Sequence, residues 1–291
     1  IKLAEDRIEG YRNFATKLWN AARYCEMNEC RFDPAFDPKS ATYTPNQWII
    51  GEVLGTKTAL DNALENYKFN EAADVLYKFI WGTFCDWYLE FTKPVLQLNN
   101  DVSGEIRQTT GWVLNQIILI LNPIMPFITE ELNAKFGGSK EMLINAKWPQ
   151  YDASLIKKDA AQEMDWLARF ISEIRSVRSD MNVPAAAKIQ LLIKDANKQS
   201  QERLKAYEEI IKRMARIENI ELSTTVPKGA IQTVVDEAML ILPIADIIDL
   251  DKERERLRKE IEKLEQDIQK VDQKLGNEQF VANAPEEIIT E

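Results

Sequence analysis

Arg12, Thr16, Trp19 and Arg23 recur at spacings of 4, 3 and 4, so on a helix they form one stripe. The chemistry of such a stripe is recognition rather than bond making. A guanidinium and an indole stack on nucleobases, and polar side chains hydrogen-bond to base edges. Asn20 adds an amide that both donates and accepts, and Trp48 places a second indole near the start of the next helical pattern. For Trp19 and Trp87 the apolar neighbours predict core packing instead. Farther along, Arg175 and Arg178 stand three residues apart, which predicts a shared helix face and a contact with phosphates.

Catalytic chemistry is poorly served by the same inventory. Histidine is absent from the 291 residues, which removes Ser-His-Asp and Cys-His machinery and leaves any zinc to cysteines and carboxylates. Cys25, Cys30 and Cys85 are odd in number and lack a CxxC spacing, so structural thiols in a reducing compartment are expected rather than disulfides or metal ligands. Glu130 with Glu131, and Glu208 with Glu209, are sequence neighbours that would not face one site on a helix. No GxGxxG or GxxxxGK stretch is present. The chain is therefore expected to hold no catalytic residue, no metal and no cofactor of its own.

The elements that must carry the stripe are helical over the first half. Ile8, Tyr11, Ala15, Leu18 and Ala22 predict the core face of a first helix. Thr44 predicts a cap for the second, with Pro45 in its first turn and Gln47 reaching back as in a capping box. A third helix from about Asn70 buries Ala73, Leu76, Ile80, Phe84, Trp87 and Phe91 and stops near Pro94. A fourth runs from about Ser103 to Pro123 and a fifth from Pro126 to Gly137-Gly138. The expected fold class is mainly α, with a helical bundle over 1–159, a small α+β domain over 160–249 and a coiled-coil helix over 250–291. A strand-like run falls at 188–193, then a helix from Glu202 to Ile217, then short strand-like runs at 220–226, 230–235 and 239–244. Leu257, Ile261, Leu264, Ile268, Val271 and Leu275 step by 4, 3, 4, 3 and 4, the heptad seam that demands a partner helix. Pro285-Glu286-Glu287 is placed to open a returning helix.

A net charge of -10 gives no blanket attraction to nucleic acid. Local charge is different, because residues 169–216 carry a surplus of +5 while 31–168 sum to -6. The longest apolar stretch, 112–121, is too short to span a bilayer, so a cytoplasmic protein without membrane contact is expected. The chain opens without methionine and directly in helical pattern, and reads as a piece of something longer.

Four separated segments carry a family resemblance. Gly10-Tyr-Arg-Asn-Phe-Ala-Thr-Lys-Leu-Trp-Asn-Ala-Ala-Arg23 resembles the helix that opens the anticodon-binding bundle of class I aminoacyl-tRNA synthetases, the valyl branch above all. Phe84-Cys-Asp-Trp-Tyr-Leu-Glu90 with Thr92-Lys93-Pro94, and Asn122-Pro-Ile-Met-Pro-Phe-Ile-Thr-Glu-Glu131, are similar to the same family in the same order. Gly276-Asn-Glu-Gln-Phe-Val-Ala-Asn-Ala-Pro285 resembles the hinge of the coiled-coil arm found on valyl-tRNA synthetases. The family's HIGH-type and KMSKS motifs are missing, so the resemblance implies its tRNA-binding C-terminal part without the half that uses ATP with Mg.

On that resemblance Arg23, Trp48 and Asn20 are expected to read the anticodon, and Arg175, Arg178, Arg254, Arg258, Lys263 and Lys270 to hold the tRNA backbone. The implied partner is valine tRNA, the full-length enzyme is expected to be a monomer, and this chain is expected to self-associate through its unpaired seam. Isoleucyl- or leucyl-tRNA synthetase is the near alternative, but isoleucyl enzymes often end in a cysteine-rich zinc module and no cysteine follows Cys85. A helical scaffold that dimerises through Leu257 to Leu275 and never meets RNA is the reading from a different class.

Overall fold

The computed structural model describes residues 5–98, 100–137, 141–245, 247–248 and 250–276. The chain forms two compact units interleaved in sequence, residues 1–172 with 199–215, and residues 173–198 with 216–291. Pro285 and most of the arm-hinge segment lie outside the described residues.

The first unit is helical. It holds α1 (Glu5–Met27), α2 (Thr44–Glu65), α3 (Phe69–Tyr77), a π-helical stretch (Lys78–Tyr88), α4 (Leu89–Leu96), α5 (Asp101–Leu121), α6 (Pro126–Phe136) and most of α7 (Lys158–Asp180). Helix α1 buries Phe14, Leu18, Ala21, Ala22 and Cys25, whereas Ile8 and Tyr11, expected in the core, are exposed, Tyr11 by 68%. The buried set shifts toward the C-terminal turns, where α1 packs on the π-helical stretch, α5 and α6. The aromatic run that follows α3 stays helical through Pro94 to Leu96, with Phe84, Tyr88 and Phe91 fully buried. Trp87 lies 5.5 Å from Phe91, ring to ring.

The start of α2 corrects the capping reading. Tyr43, not Thr44, is the N-cap, and it makes no side-chain cap bond. Glu105 of α5 supplies the acceptor instead, taking the N–H of Thr42 at 3.1 Å and that of Tyr43 at 2.9 Å. Gln47 donates to the carbonyl of Ala41 at 2.9 Å, outside any box.

In the second unit a four-stranded sheet has the order β2-β1-β4-β3, with β1 (Ile189–Lys194), β2 (Ile217–Leu222), β3 (Ala230–Val235) and β4 (Ala238–Pro243). Strands β1 and β2 are parallel and the other two pairings antiparallel. A parallel pair needs a long crossover, and α8 (Lys198–Ala206) and α9 (Glu208–Ala215) provide it in sequence. The single helix expected from Glu202 to Ile217 is thus two helices. Strand β2 starts earlier than expected because Arg216, at φ 56°, turns the chain straight out of α9. Helix α10 (Leu250–Leu275) bears the heptads, and its six seam residues are 38–59% exposed.

Candidate nucleic-acid interface

The exposed stripe of α1 is held in place by its buried neighbours. Trp19 packs edge-on against Phe136 at 6.4 Å, and the Lys135 ammonium sits 4.6 Å over the Trp19 ring. Lys17 lies 4.1 Å over Trp81 and pairs with Asp86. Arg12 pairs with Glu9 at 2.9 Å and its carbonyl accepts the hydroxyl of Thr16. Asn20 and Arg23 stand exposed on the outer face.

Trp48 has different neighbours. It is half-buried on α2, 5.9 Å from the ring of Phe91, and its indole N–H donates to Glu52, whose carboxyl burial pushes up. The structure places Arg23 among α1 residues beside α6 and Trp48 beside α4, and shows no joint contact of the two.

Of the arginine pair in α7, Arg175 is exposed, but Arg178 is only 8% exposed. Its guanidinium donates to the carbonyls of Ala187 at 2.9 Å, Pro184 at 3.1 Å and Arg216 at 3.5 Å. Desolvation, then the charge of Arg216, lowers its pKa from the usual value. A guanidinium in this position ties the turn after α7 to the start of β2; it is not offered to a phosphate. Both arginines lie on α7, but the chain that turns at Asn182, φ 48°, brings the carbonyls of Pro184 and Ala187 onto Arg178 and covers it.

Part of the positive charge of 169–216 is paired within the protein. Arg169 pairs with Asp165 at 2.9 Å, Lys212 with Glu208 at 2.5 Å, and Arg203 binds both oxygens of Glu163 while lying 5.1 Å from the Trp166 ring. On α10 Arg254 pairs with Asp251 at 3.2 Å and Lys270 with Asp267 at 2.8 Å, whereas Arg258 and Lys263 are exposed. Surface pairs of this kind contribute little to stability and are readily exchanged for phosphate.

Two of the clefts on the helical unit differ in kind of lining. The larger, about 580 Å³, is lined by Tyr11, Phe14, Ala73, Tyr77, Ile124 and Met125 among others, with Asp74 as its only charge. The second, about 370 Å³, lies at the other end of α1 between Glu26, Arg31, Phe32, Lys135 and Phe136, over a floor of Ala22, Cys25, Cys30 and Leu114. Of these two, the second combines aromatic walls with cationic groups, the pair that single-stranded nucleic acid demands. Glu26 continues the stripe of α1, but Arg31 and Lys135 belong to no periodic pattern, so the cleft itself was not legible in sequence. Among the described residues no group of three His, Cys, Asp or Glu side chains is placed to hold a metal ion.

Comparison with known proteins fits this picture. Residues 46–193 match the family model described as the anticodon-binding domain of tRNA ligase, and residues 249–291 match that of the valyl tRNA synthetase tRNA binding arm. The class of protein is thus that of tRNA-ligase anticodon-binding modules. The chain belongs to the anticodon-binding domain family of tRNA ligases. It is 46% identical over 296 residues to the valine-tRNA ligase of Zymomonas mobilis, 45% over 294 residues to that of Bartonella henselae and 44% over 296 residues to that of Caulobacter vibrioides. These alignments cover 99–100% of this chain but only 32–33% of each relative, so the chain spans about one third of their length.

Proposed function

We propose that this chain is the tRNA-binding part of a valine-tRNA ligase, engaging the anticodon loop and body of valine tRNA while the rest of the enzyme carries out ATP-dependent aminoacylation. The observation that carries the reading is the order of two matches on one chain, a bundle of the anticodon-binding family followed by an arm of the valyl type. The arm distinguishes this reading from an isoleucyl or leucyl enzyme and from a scaffold that never meets RNA.

In this reading residues 1–159 form the bundle, 160–249 the linker domain and 250–291 the first part of the arm. Arg23 and Asn20 present donors and acceptors to anticodon bases, with Trp48 a contact at the start of α2. Arg175, Arg254, Arg258, Lys263 and Lys270 face the backbone; Arg178 acts through the fold. ATP and Mg belong to the remainder of the ligase, since this chain holds no Gly-rich phosphate loop and no histidine. The whole enzyme works as a monomer in the cytoplasm; no described helix is long and apolar enough to cross a membrane.

The test is binding of valine tRNA and of its isolated anticodon stem-loop across a salt series. Binding that falls with salt and with anticodon substitution is expected. Affinity equal to that for an unrelated hairpin at every salt concentration would remove the reading.

A further inference from the structure

The smaller cleft has features that phosphate binding alone does not explain. Its rim contains Arg31 and Lys135, yet Glu26 stands with them, exposed and one turn beyond Arg23 on the same stripe of α1 as Trp19. A carboxylate beside phosphates is repulsive unless it has N–H donors to accept, and the exocyclic amine of a nucleobase is such a donor. Phe32 and Phe136 are half-buried in the lining, packed against the core, so their rings are pre-set rather than floppy.

The wall formed by residues 28–32 is fixed by the backbone. Arg107 donates to the carbonyl of Asn28 at 3.1 Å, the N–H of Cys30 to that of Cys25 at 2.8 Å, and Glu29 takes φ 60°. Gly111 of α5 lies so close that a Cβ there would come within 2.2 Å of the Arg31 carbonyl oxygen. Arg31 and Phe32 are therefore seated directly on α5, and Lys135 is held over Trp19 on the opposite side. A pre-organised cleft loses less ordering entropy when a ligand enters.

We propose that this cleft receives one amino-bearing base of the single-stranded loop, its amine donating to Glu26, its ring against Phe32 and Phe136, and its flanking phosphates facing Arg31 and Lys135. The inference rests on the tRNA reading above and assigns that reading a base-specific site. Arg23 stands exposed between Trp19 and Glu26 on the same stripe of α1.

The experiment uses the full chain and valine anticodon stem-loops in which each loop base in turn is replaced by an abasic sugar. With the parent protein, one position costs about tenfold in affinity, the scale of losing a stacked base. In Glu26→Ala and in Phe32→Leu that loss shrinks to about twofold or less, while losses at other positions persist; Glu26 is exposed and its variant keeps the parent's melting temperature. Replacing the amine at the sensitive position by hydrogen reproduces much of the loss in the parent and none in Glu26→Ala. If both variants retain the parent's full position-dependent loss, or the sensitive base carries no amine, the cleft assignment is overturned while the tRNA reading stands. If the parent binds the stem-loop no better than an unrelated hairpin, the reading and the cleft fall together.

Discussion

Asn46, fully buried on α2, donates its side-chain amide to the Glu105 carboxylate of α5 at 2.8 Å. The same Asn46 accepts the hydroxyl of Tyr88 at 2.9 Å, and Tyr88 also meets Thr110 at 3.1 Å. One chain of hydrogen bonds thus joins α2, the π-helical stretch and α5 beneath the start of α2, where Trp48 stands. Burial alone would lift the Glu105 pKa, but hydrogen bonds from Asn46, Thr42 and the backbone hold it below the ordinary carboxylate value.

This relationship predicts an acid sensitivity. With a folded pKa below the unfolded one, the contribution of Glu105 is complete above the unfolded value, about 4.3, and is lost as pH falls through the depressed folded value. We expect Glu105→Ala to cost about 1.5–3 kcal/mol at neutral pH, the scale of bonds to a charged acceptor. The difference from the parent narrows in acid. Melts from pH 3 to 7 check it, and a cost that does not narrow in acid contradicts the assignment.

For the two arginines of α7 the outcomes are opposite. Arg178→Met strands three carbonyls and is expected to lower stability by about 1–3 kcal/mol. It leaves the salt dependence of tRNA binding unchanged. Arg175→Ala is expected to leave the melt near the parent's and to reduce the slope of log affinity against log salt by about 1. Calorimetry together with a salt titration separates them.

What the sequence made legible, and what it did not, follows from the range of the interactions. The heptads of α10, the strand at 230–235 and the helical character of α1 are local patterns, and each stands where its period places it. Glu105 caps α2 from about sixty residues away, so no capping motif at Thr44 could reveal it. Arg178 looked like surface because its three partners arrive only after the chain reverses at Asn182. The mixed cleft draws on α1, the loop after it and α6, elements whose proximity no spacing encodes.

Arg23 and Trp48 should separate in the same manner. Arg23 is exposed, so Arg23→Ala is expected to weaken stem-loop binding about fivefold or more with no change in melting temperature. Trp48 rests on Phe91, so Trp48→Ala is expected to destabilise by about 1–3 kcal/mol in addition to any loss of binding. A stable Trp48→Ala that has lost only binding would show that the indole serves RNA and not the core.

The thiols give a direct probe of the bundle. Burial holds Cys25 well above its usual pKa, lifts Cys30 to about 11 and Cys85 to about 12. Since the thiolate is the nucleophile, all three should resist an aromatic disulfide reagent at pH 8 in the native protein. Three equivalents should react at once in denaturant, with no reductant needed, because all three are free. Rapid native reaction of Cys25 or Cys30 would mean that the floor of the mixed cleft opens.

The last prediction concerns α10. Leu257, Ile261, Leu264, Ile268, Val271 and Leu275 lie along one seam and remain exposed, while Arg256 donates to the Asp180 carbonyl at 3.0 Å. Each seam side chain gains on the order of 1.5–3 kcal/mol if fully buried, so a bare seam favours pairing with any matching seam, including that of a second copy. Sedimentation should therefore show association of this chain that rises with concentration. Ile261→Lys with Ile268→Lys should abolish it without moving the melt of either compact unit. If tRNA covers or reorders α10, added valine tRNA competes with association, and exchanging Arg258 and Lys263 for glutamate removes that competition while leaving the pairing intact. A chain that stays monomeric at high concentration, with its seam unmodified, would show that α10 needs no mate, and the step from heptads to an arm completed by a partner helix would fail.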